Sequence, residues 1–223
     1  MSLPDAILFD WDNTLVDTWP CITRAMNTTL EAMGHDPWTE AEAQRRIARS
    51  LRESFPDLFG GAWQEAAEIF YRTFAEVHIE MLSPLRGAAA LLDHLAEDGV
   101  LLAVVSNKTG RYLREEADHL GWTPYFHRVV GAGDAPRDKP STDVVRLALK
   151  DSGIDPSVQT VWFVGDMPVD MQCGHDSGCK TVLLRSAEPD ATEFLGCEPS
   201  IRLSDPAALL AHMRELKVSN ARV

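Results

Sequence analysis

The chain is expected to fold as an α/β protein, a parallel sheet with helices on both faces, interrupted by an all-helical insertion. Three observations carry this. Short apolar runs bounded by turn residues alternate with helix-period segments, first around Ile7–Phe9 and again from Leu85 onward. The stretch between them, 18–83, has helical spacing and no strand signal. A chain of 223 residues with 45% hydrophobic content can bury one large core and still carry an insertion. The expected division is a core from 1–17 and 84–223 and an inserted helical domain from 18–83.

The elements follow in order. Ile7-Leu8-Phe9 is an apolar run with no polar alternation, as in a strand buried on both faces. Ile22, Met26, Leu30 and Met33 recur at helical spacing up to Gly34. From Asp36 to Arg52 the chain is more polar, and Arg45, Arg46, Arg49 and Arg52 cluster there, as either a solvated helix face or a ligand-facing one. Trp63, Ala67, Phe70, Phe74, Val77 and Met81 step by three and four, a helix expected to end before Ser83-Pro84. Beyond it, Leu91, Leu92 and Leu95 mark a helix stopped by Gly99, and Val100–Val105 is a strand entering Ser106-Asn107-Lys108-Thr109. Tyr112, Leu113, Ala117 and Leu120 form the next helix. Val129-Val130 then leads into a loop carrying Lys139-Pro140, followed by a helix from near Ser141. Strands at Thr160–Val164, ending in Gly165-Asp166, and at Thr181–Leu184 complete the pattern, and Val218–Val223 reads as a frayed tail.

Composition narrows the function classes. The formal net charge of −13 and the lack of a basic stripe oppose binding to nucleic acid or to anionic membranes. No apolar run approaches the roughly 20 residues of a membrane span, and Met1–Asp5 lacks a signal-peptide pattern, so a cytoplasmic location is expected. Cys21, Cys173, Cys179 and Cys197 show no zinc spacing and are expected to be reduced.

Ligands bind to parallel sheets outside the carboxyl ends of the strands. Asp10 and Asp12 fall there, as do Ser106 and Asn107, and Asp166 with Asp170; Lys139 lies on a loop that can reach the same edge. One such strand end could be a turn alone. Three with complementary chemistry point to a site. Converging carboxylates raise one another's pKa unless a cation neutralises them, and an all-oxygen set with few ligands suits Mg²⁺. That ion and Lys139 would let an otherwise acidic protein hold a phosphate dianion.

Asp10-Trp11-Asp12-Asn13-Thr14, Ser106-Asn107, Lys139, and Gly165-Asp166 with Asp170 resemble the four sequence motifs of the haloacid dehalogenase superfamily, in order, from Ile7 to about Leu184. The helical insertion between the first two motifs resembles the members with a small helical cap on a Rossmann-like core, which include phosphoglycolate phosphatases. The resemblance implies that Asp10 is the nucleophile forming an aspartyl-phosphate, with Asp12 as general acid and then general base. It implies that Thr14 fixes the loop at the substrate side and that Ser106 and the Asn107 backbone bind phosphoryl oxygens. Lys139 would offset charge on nucleophile and phosphoryl group. Mg²⁺ would be held by Asp10, the Asp12 main-chain carbonyl and Asp166, with Asp170 acting through water or as support.

Asn13 stands where the family usually has Gly, and Asn tolerates a left-handed backbone. Trp11 is bulky and is expected to narrow access to the nucleophile. Lys108, Arg49 and Arg52, with Ser50, are the groups expected to meet the rest of a small anionic phosphorylated metabolite, phosphoglycolate being the favoured one.

Rival chemistries differ at particular residues. A dehalogenase would lack Asp12, and a phosphonate hydrolase would need a cap lysine, of which 17–83 has none. A phosphomutase would share every core residue named here, and a non-catalytic phosphoryl-binding protein on the same scaffold would be expected to lose a carboxylate or the lysine. The sequence leaves the oligomeric state open.

Overall fold

The computed structural model describes residues 3–47 and 51–220. The chain forms two compact units, one of residues 1–16 and 84–223 and one of residues 17–83.

The first unit is built on a six-stranded sheet of β1 (Ala6–Phe9), β4 (Leu101–Thr109), β5 (Phe126–Ala132), β6 (Val161–Gly165), β7 (Lys180–Leu184) and β8 (Ile201–Leu203). Its order is β5-β4-β1-β6-β7-β8, with every pairing parallel. The order reverses direction at β1, the switch point where open α/β sheets place their ligands. Register fixes what emerges there: Phe9 pairs with Val104 on one side and Val164 on the other, so Asp10, Val105 and Gly165 form the next row. Ser106 and Asp166 follow one residue beyond it.

Alternation along the strands supplies two core faces. Ala6, Leu8, Ala103, Val105, Val161 and Phe163 pack with Val144, Val145 and Ala148 of α7 (Asp143–Ala148) and Cys173 of α8 (Pro168–Asp176). The intervening residues Ile7, Phe9, Leu102, Val104, Trp162 and Val164 are equally buried. The remaining helices of this unit are α5 (Ala88–Glu97), α6 (Gly110–His119) and α9 (Pro206–Asn220); α5 packs on α9 and β4, α6 on β4 and β5, and His212 of α9 stacks on Trp162. Val218 thus belongs to a helix, a correction to the frayed tail expected from Val218 onward; residues 221–223 lie outside the described residues.

The second unit holds α1 (Trp19–Ala32), α2 (Glu40–Arg46), α3 (Leu51–Phe59) and α4 (Trp63–Val77). Cys21, Ala25, Met26 and Leu30 of α1 and Ala66, Phe70 and Phe74 of α4 are the buried stripes, and Phe55 of α3 packs edge-on to Phe70. Thr39 and Glu42 cap α2 reciprocally. The α4 helix stops at Val77, short of the expected stripe's last member, Met81, which lies in the turns beyond it. Two-residue strands β2 (Val16–Asp17) and β3 (Ser83–Pro84) pair with each other in a separate sheet.

Candidate active site

Asp10 continues the β1 ladder by donating its amide to the Val164 carbonyl at 2.8 Å, and then the chain turns. Asn13 adopts a left-handed φ of 58° and donates its amide to the Val16 carbonyl, while the Leu15 and Val16 amides return to the Trp11 carbonyl. That turn is where Asn replaces Gly at tolerable cost. It buries Thr14 completely and brings its hydroxyl to 3.4 Å from Asp166 Oδ1. Thr14 therefore fixes the loop from inside the protein; its assignment as a substrate-side residue is corrected, because no surface of it is exposed.

Lys139 ties the strand ends together. Its buried ammonium donates to Asp10 Oδ1 at 2.6 Å and to Asp170 Oδ1 at 2.7 Å. Its main chain is held by Asn107, whose side chain accepts from the Lys139 amide at 3.0 Å and donates to the Lys139 carbonyl at 3.2 Å. Asn107 thus links β4 to the Lys139 loop. Asp170, in the first turn of α8, takes the Met167 amide on its other oxygen at 3.0 Å. Its carboxylate sits against Gly165, where a Cβ would come within 2.4 Å of Asp170 Cβ and Cγ. Ser106 is buried, and its hydroxyl accepts from the Lys108 amide at 3.2 Å.

The carboxylates of Asp10, Asp166 and Asp170 are all buried, with ligand oxygens within 4.8 Å of one another. Burial, together with the neighbouring charges of Asp170 and Asp12, pushes Asp10 up to about 6 against the opposing pull of Lys139. Burial and the charges of Asp170 and Asp10 likewise hold Asp166 well above the ordinary carboxylate range. Burial alone would lower Lys139, but the two carboxylates on it reverse that and raise it. Such a set fits a small hard cation: the donors are oxygens, and burial makes the charged forms of Asp10 and Asp166 costly without a neutralising charge. Asp170 is the least available as a direct ligand, since both its oxygens already accept hydrogen bonds. The Asp12 carboxylate lies outside this trio.

Two expectations are corrected by what surrounds Asp12. Lys108 does not present its side chain to a ligand: the ammonium is 5% exposed and lies 2.6 Å from Asp12 Oδ1 and 2.6 and 2.8 Å from the two oxygens of Glu116. Trp11 does not narrow access to Asp10 either. It is fully buried against Trp122 and Phe126, with its indole N–H donating to Glu116 at 2.7 Å. Glu116 is the residue that sequence reasoning missed. The signal was its position on α6: between Leu113 and Leu120 at helical spacing, a carboxylate falls on the apolar stripe. Arg49 and Ser50 lie outside the described residues, as does the side chain of Arg52.

The haloacid dehalogenase-like hydrolase family matches residues 7–184. A phosphoglycolate phosphatase of Pseudomonas putida is 26% identical over 94% of this chain and 79% of its own length. An N-acetylmuramic acid 6-phosphate phosphatase of Pseudomonas aeruginosa is 32% identical, over 81% of each chain. A superfamily hydrolase of Ehrlichia chaffeensis, known as a crystal structure, aligns with a TM-score of 0.66 and 28% identity over 97% of this chain and 99% of that one. The chain belongs to the haloacid dehalogenase-like hydrolase family. Among the described residues, no helix is long and apolar enough to cross a membrane.

Proposed function

We propose that this protein is a Mg²⁺-dependent phosphatase that hydrolyses a small anionic phosphomonoester through an aspartyl-phosphate on Asp10. The observation that carries this reading is the buried Lys139 bridge between Asp10 and Asp170, with Asp166 within metal-sharing distance and Asp12 two residues along the same turn.

Lys139 takes one oxygen of Asp10 and orients its carboxylate. The other oxygen attacks phosphorus as the bond to the leaving oxygen breaks. Asp12 donates its proton to that leaving oxygen, which departs as an alcohol. In the second half-reaction Asp12 takes a proton from water, whose oxygen bonds to phosphorus as the Asp10 oxygen leaves, releasing phosphate and restoring Asp10. Ser106 and the Asn107 backbone bind the equatorial phosphoryl oxygens. Mg²⁺ would be held by Asp10, Asp166 and the Asp12 carbonyl, with Asp170 acting through Lys139 or water, and would supply positive charge beside the phosphoryl group.

Phosphoglycolate is the favoured substrate, supported by relatives of that activity and by the arginines of the 18–83 segment. The higher identity to an N-acetylmuramic acid 6-phosphate phosphatase makes a sugar phosphate the next compound to try. The test is phosphate release from a panel containing both, with Mg²⁺, with EDTA and with Asp10→Asn. Release that needs the metal and falls on the order of 10⁴-fold in the variant is expected. Release that survives Asp10→Asn would refute the nucleophile.

A further inference from the structure

Asp12 has a buried cation of its own, and that cation is held by a second carboxylate deep in the core. Lys108, at the end of β4, donates to Asp12 Oδ1 at 2.6 Å and to both oxygens of Glu116. Glu116 is 1% exposed and receives the Trp11 indole N–H as well. Trp11 and Asp12 are consecutive, so the contacts form a closed circuit: Trp11 to Glu116, Glu116 to Lys108, Lys108 to Asp12, and back through the Trp11–Asp12 peptide. A leucine at position 116 would fill the apolar stripe of α6 without desolvating a charge, so burial of a carboxylate there calls for a role other than packing.

The circuit constrains one thing of chemical consequence, the torsional freedom of the Asp12 side chain. An aspartate in a turn ordinarily samples several rotamers. Here, rotating Asp12 breaks a charge-assisted hydrogen bond to a lysine that Glu116 and Trp11 hold in place. The same carboxyl must serve two proton transfers at nearly the same point, first to the leaving oxygen and then from water.

We infer that Lys108, Glu116 and Trp11 are positioning residues that hold the Asp12 carboxyl in its transfer geometry, an inference that rests on the phosphatase reading above. Lys108 keeps its own proton throughout; the proton that moves to the leaving oxygen, and later from water, is carried by Asp12.

The test uses leaving-group dependence, which a purely structural role leaves unchanged. An alkoxide needs its proton during departure, whereas p-nitrophenolate leaves with little help. For each variant, kcat/KM is measured with p-nitrophenyl phosphate and with the best alkyl phosphate of the panel, because this ratio reports the first half-reaction alone. Lys108→Met is expected to lose about 10²-fold with the alkyl ester and less than about 10-fold with the aryl ester, in the direction set by Asp12→Asn. The double variant with Asp12→Asn is expected to lose no further alkyl selectivity, the non-additivity of residues acting as one unit. Glu116→Gln, which keeps the volume of the core, and Trp11→Phe, which removes the indole N–H and leaves a smaller ring, are expected to shift the ratio the same way by smaller factors, and they carry the test if Lys108→Met does not fold. Equal losses with both esters across these variants, or additivity with Asp12→Asn, would overturn the inference while leaving the phosphatase reading intact. A wild-type protein inactive on every ester would overturn both.

Discussion

Gly165→Ala tests whether the close approach of α8 to the end of β6 is what sets the site. The added Cβ would lie 2.4 Å from Asp170 Cβ and Cγ and 2.5 Å from its Oδ2, about 1 Å inside ordinary contact. Asp170 cannot swing aside cheaply, because Lys139 holds one oxygen at 2.7 Å and the Met167 amide holds the other at 3.0 Å. Overpacking of this kind costs about 1–3 kcal/mol, and losing a hydrogen bond to a charged group adds about 1.5–3 kcal/mol. The smaller unfolded-state entropy of alanine returns roughly 0.5–1 kcal/mol. The net expectation is a loss of about 1.5–5.5 kcal/mol, or roughly 3–22 °C in melting temperature for a chain of this size. Because displaced Asp170 draws Lys139 from Asp10, activity should fall on the order of 10²-fold. Gly174→Ala is the control. Its Cβ would meet Phe163 and Thr181 at 2.7 and 2.9 Å, so it should destabilise without displacing a site carboxylate. If Gly165→Ala melted within about 1 °C of the wild type, or lost no more activity than Gly174→Ala, the reasoning would be refuted.

Three further outcomes are expected. Lys139→Met leaves Asp10 and Asp170 without their shared cation and should destabilise the metal-free protein by about 3–5 kcal/mol in urea titrations. In EDTA, Asp10 with a folded-state value near 6 against an ordinary 3.8 favours its neutral form on folding. The resulting penalty is absent below about pH 4, grows as pH rises and is complete above about pH 6, at roughly 3 kcal/mol. Asp10→Asn should therefore gain stability over the wild type as pH rises from 4 to 6.5, and a gap that stayed constant across that range would contradict the assignment. Calorimetric titration with inorganic phosphate should show binding in Mg²⁺ and none in EDTA; equal binding in both would mean that the lysines suffice as the anion's partners.

Much of this site was legible because parallel sheets convert sequence position into spatial position. Once Ile7–Phe9, Val100–Val105 and Thr160–Val164 are read as neighbouring strands, the residues just past each must meet at one edge, and the register does place Asp10, Ser106 and Asp166 there. Asn13 was readable for a similar reason, since its turn required a left-handed backbone. Side-chain direction was not legible in the same way. Trp11 sits between two site aspartates in sequence, yet its indole lies in the core, a consequence of which way the chain turns after Phe9. Lys108 read as a substrate-facing cation because it follows Ser106 and Asn107 directly; its partners are 96 residues before it and 8 after. Glu116 was overlooked because a helix was scanned for its apolar residues, and the polar residue on that face is the one that matters.

The charge around the site gives a physical reason for the metal that does not depend on family likeness. The carboxyls of Asp10, Asp12, Asp166, Asp170 and Glu116 share two lysines, and each lysine already contacts a pair of carboxylates at distances under 2.9 Å. Lys108 directs its N–H donors at Asp12 and Glu116, and Lys139 directs two of its three at Asp10 and Asp170. Burial and repulsion raise Asp10 to about 6 and hold Asp166 well above the ordinary carboxylate range, which marks the charged forms as costly without a neutralising cation. A divalent cation held by Asp10 and Asp166 would offset that cost and would supply positive charge for an incoming phosphate. In the proposed reaction Lys139 and Lys108 would have distinct tasks: Lys139 would orient the carboxylate that attacks, and Lys108 the one that exchanges protons.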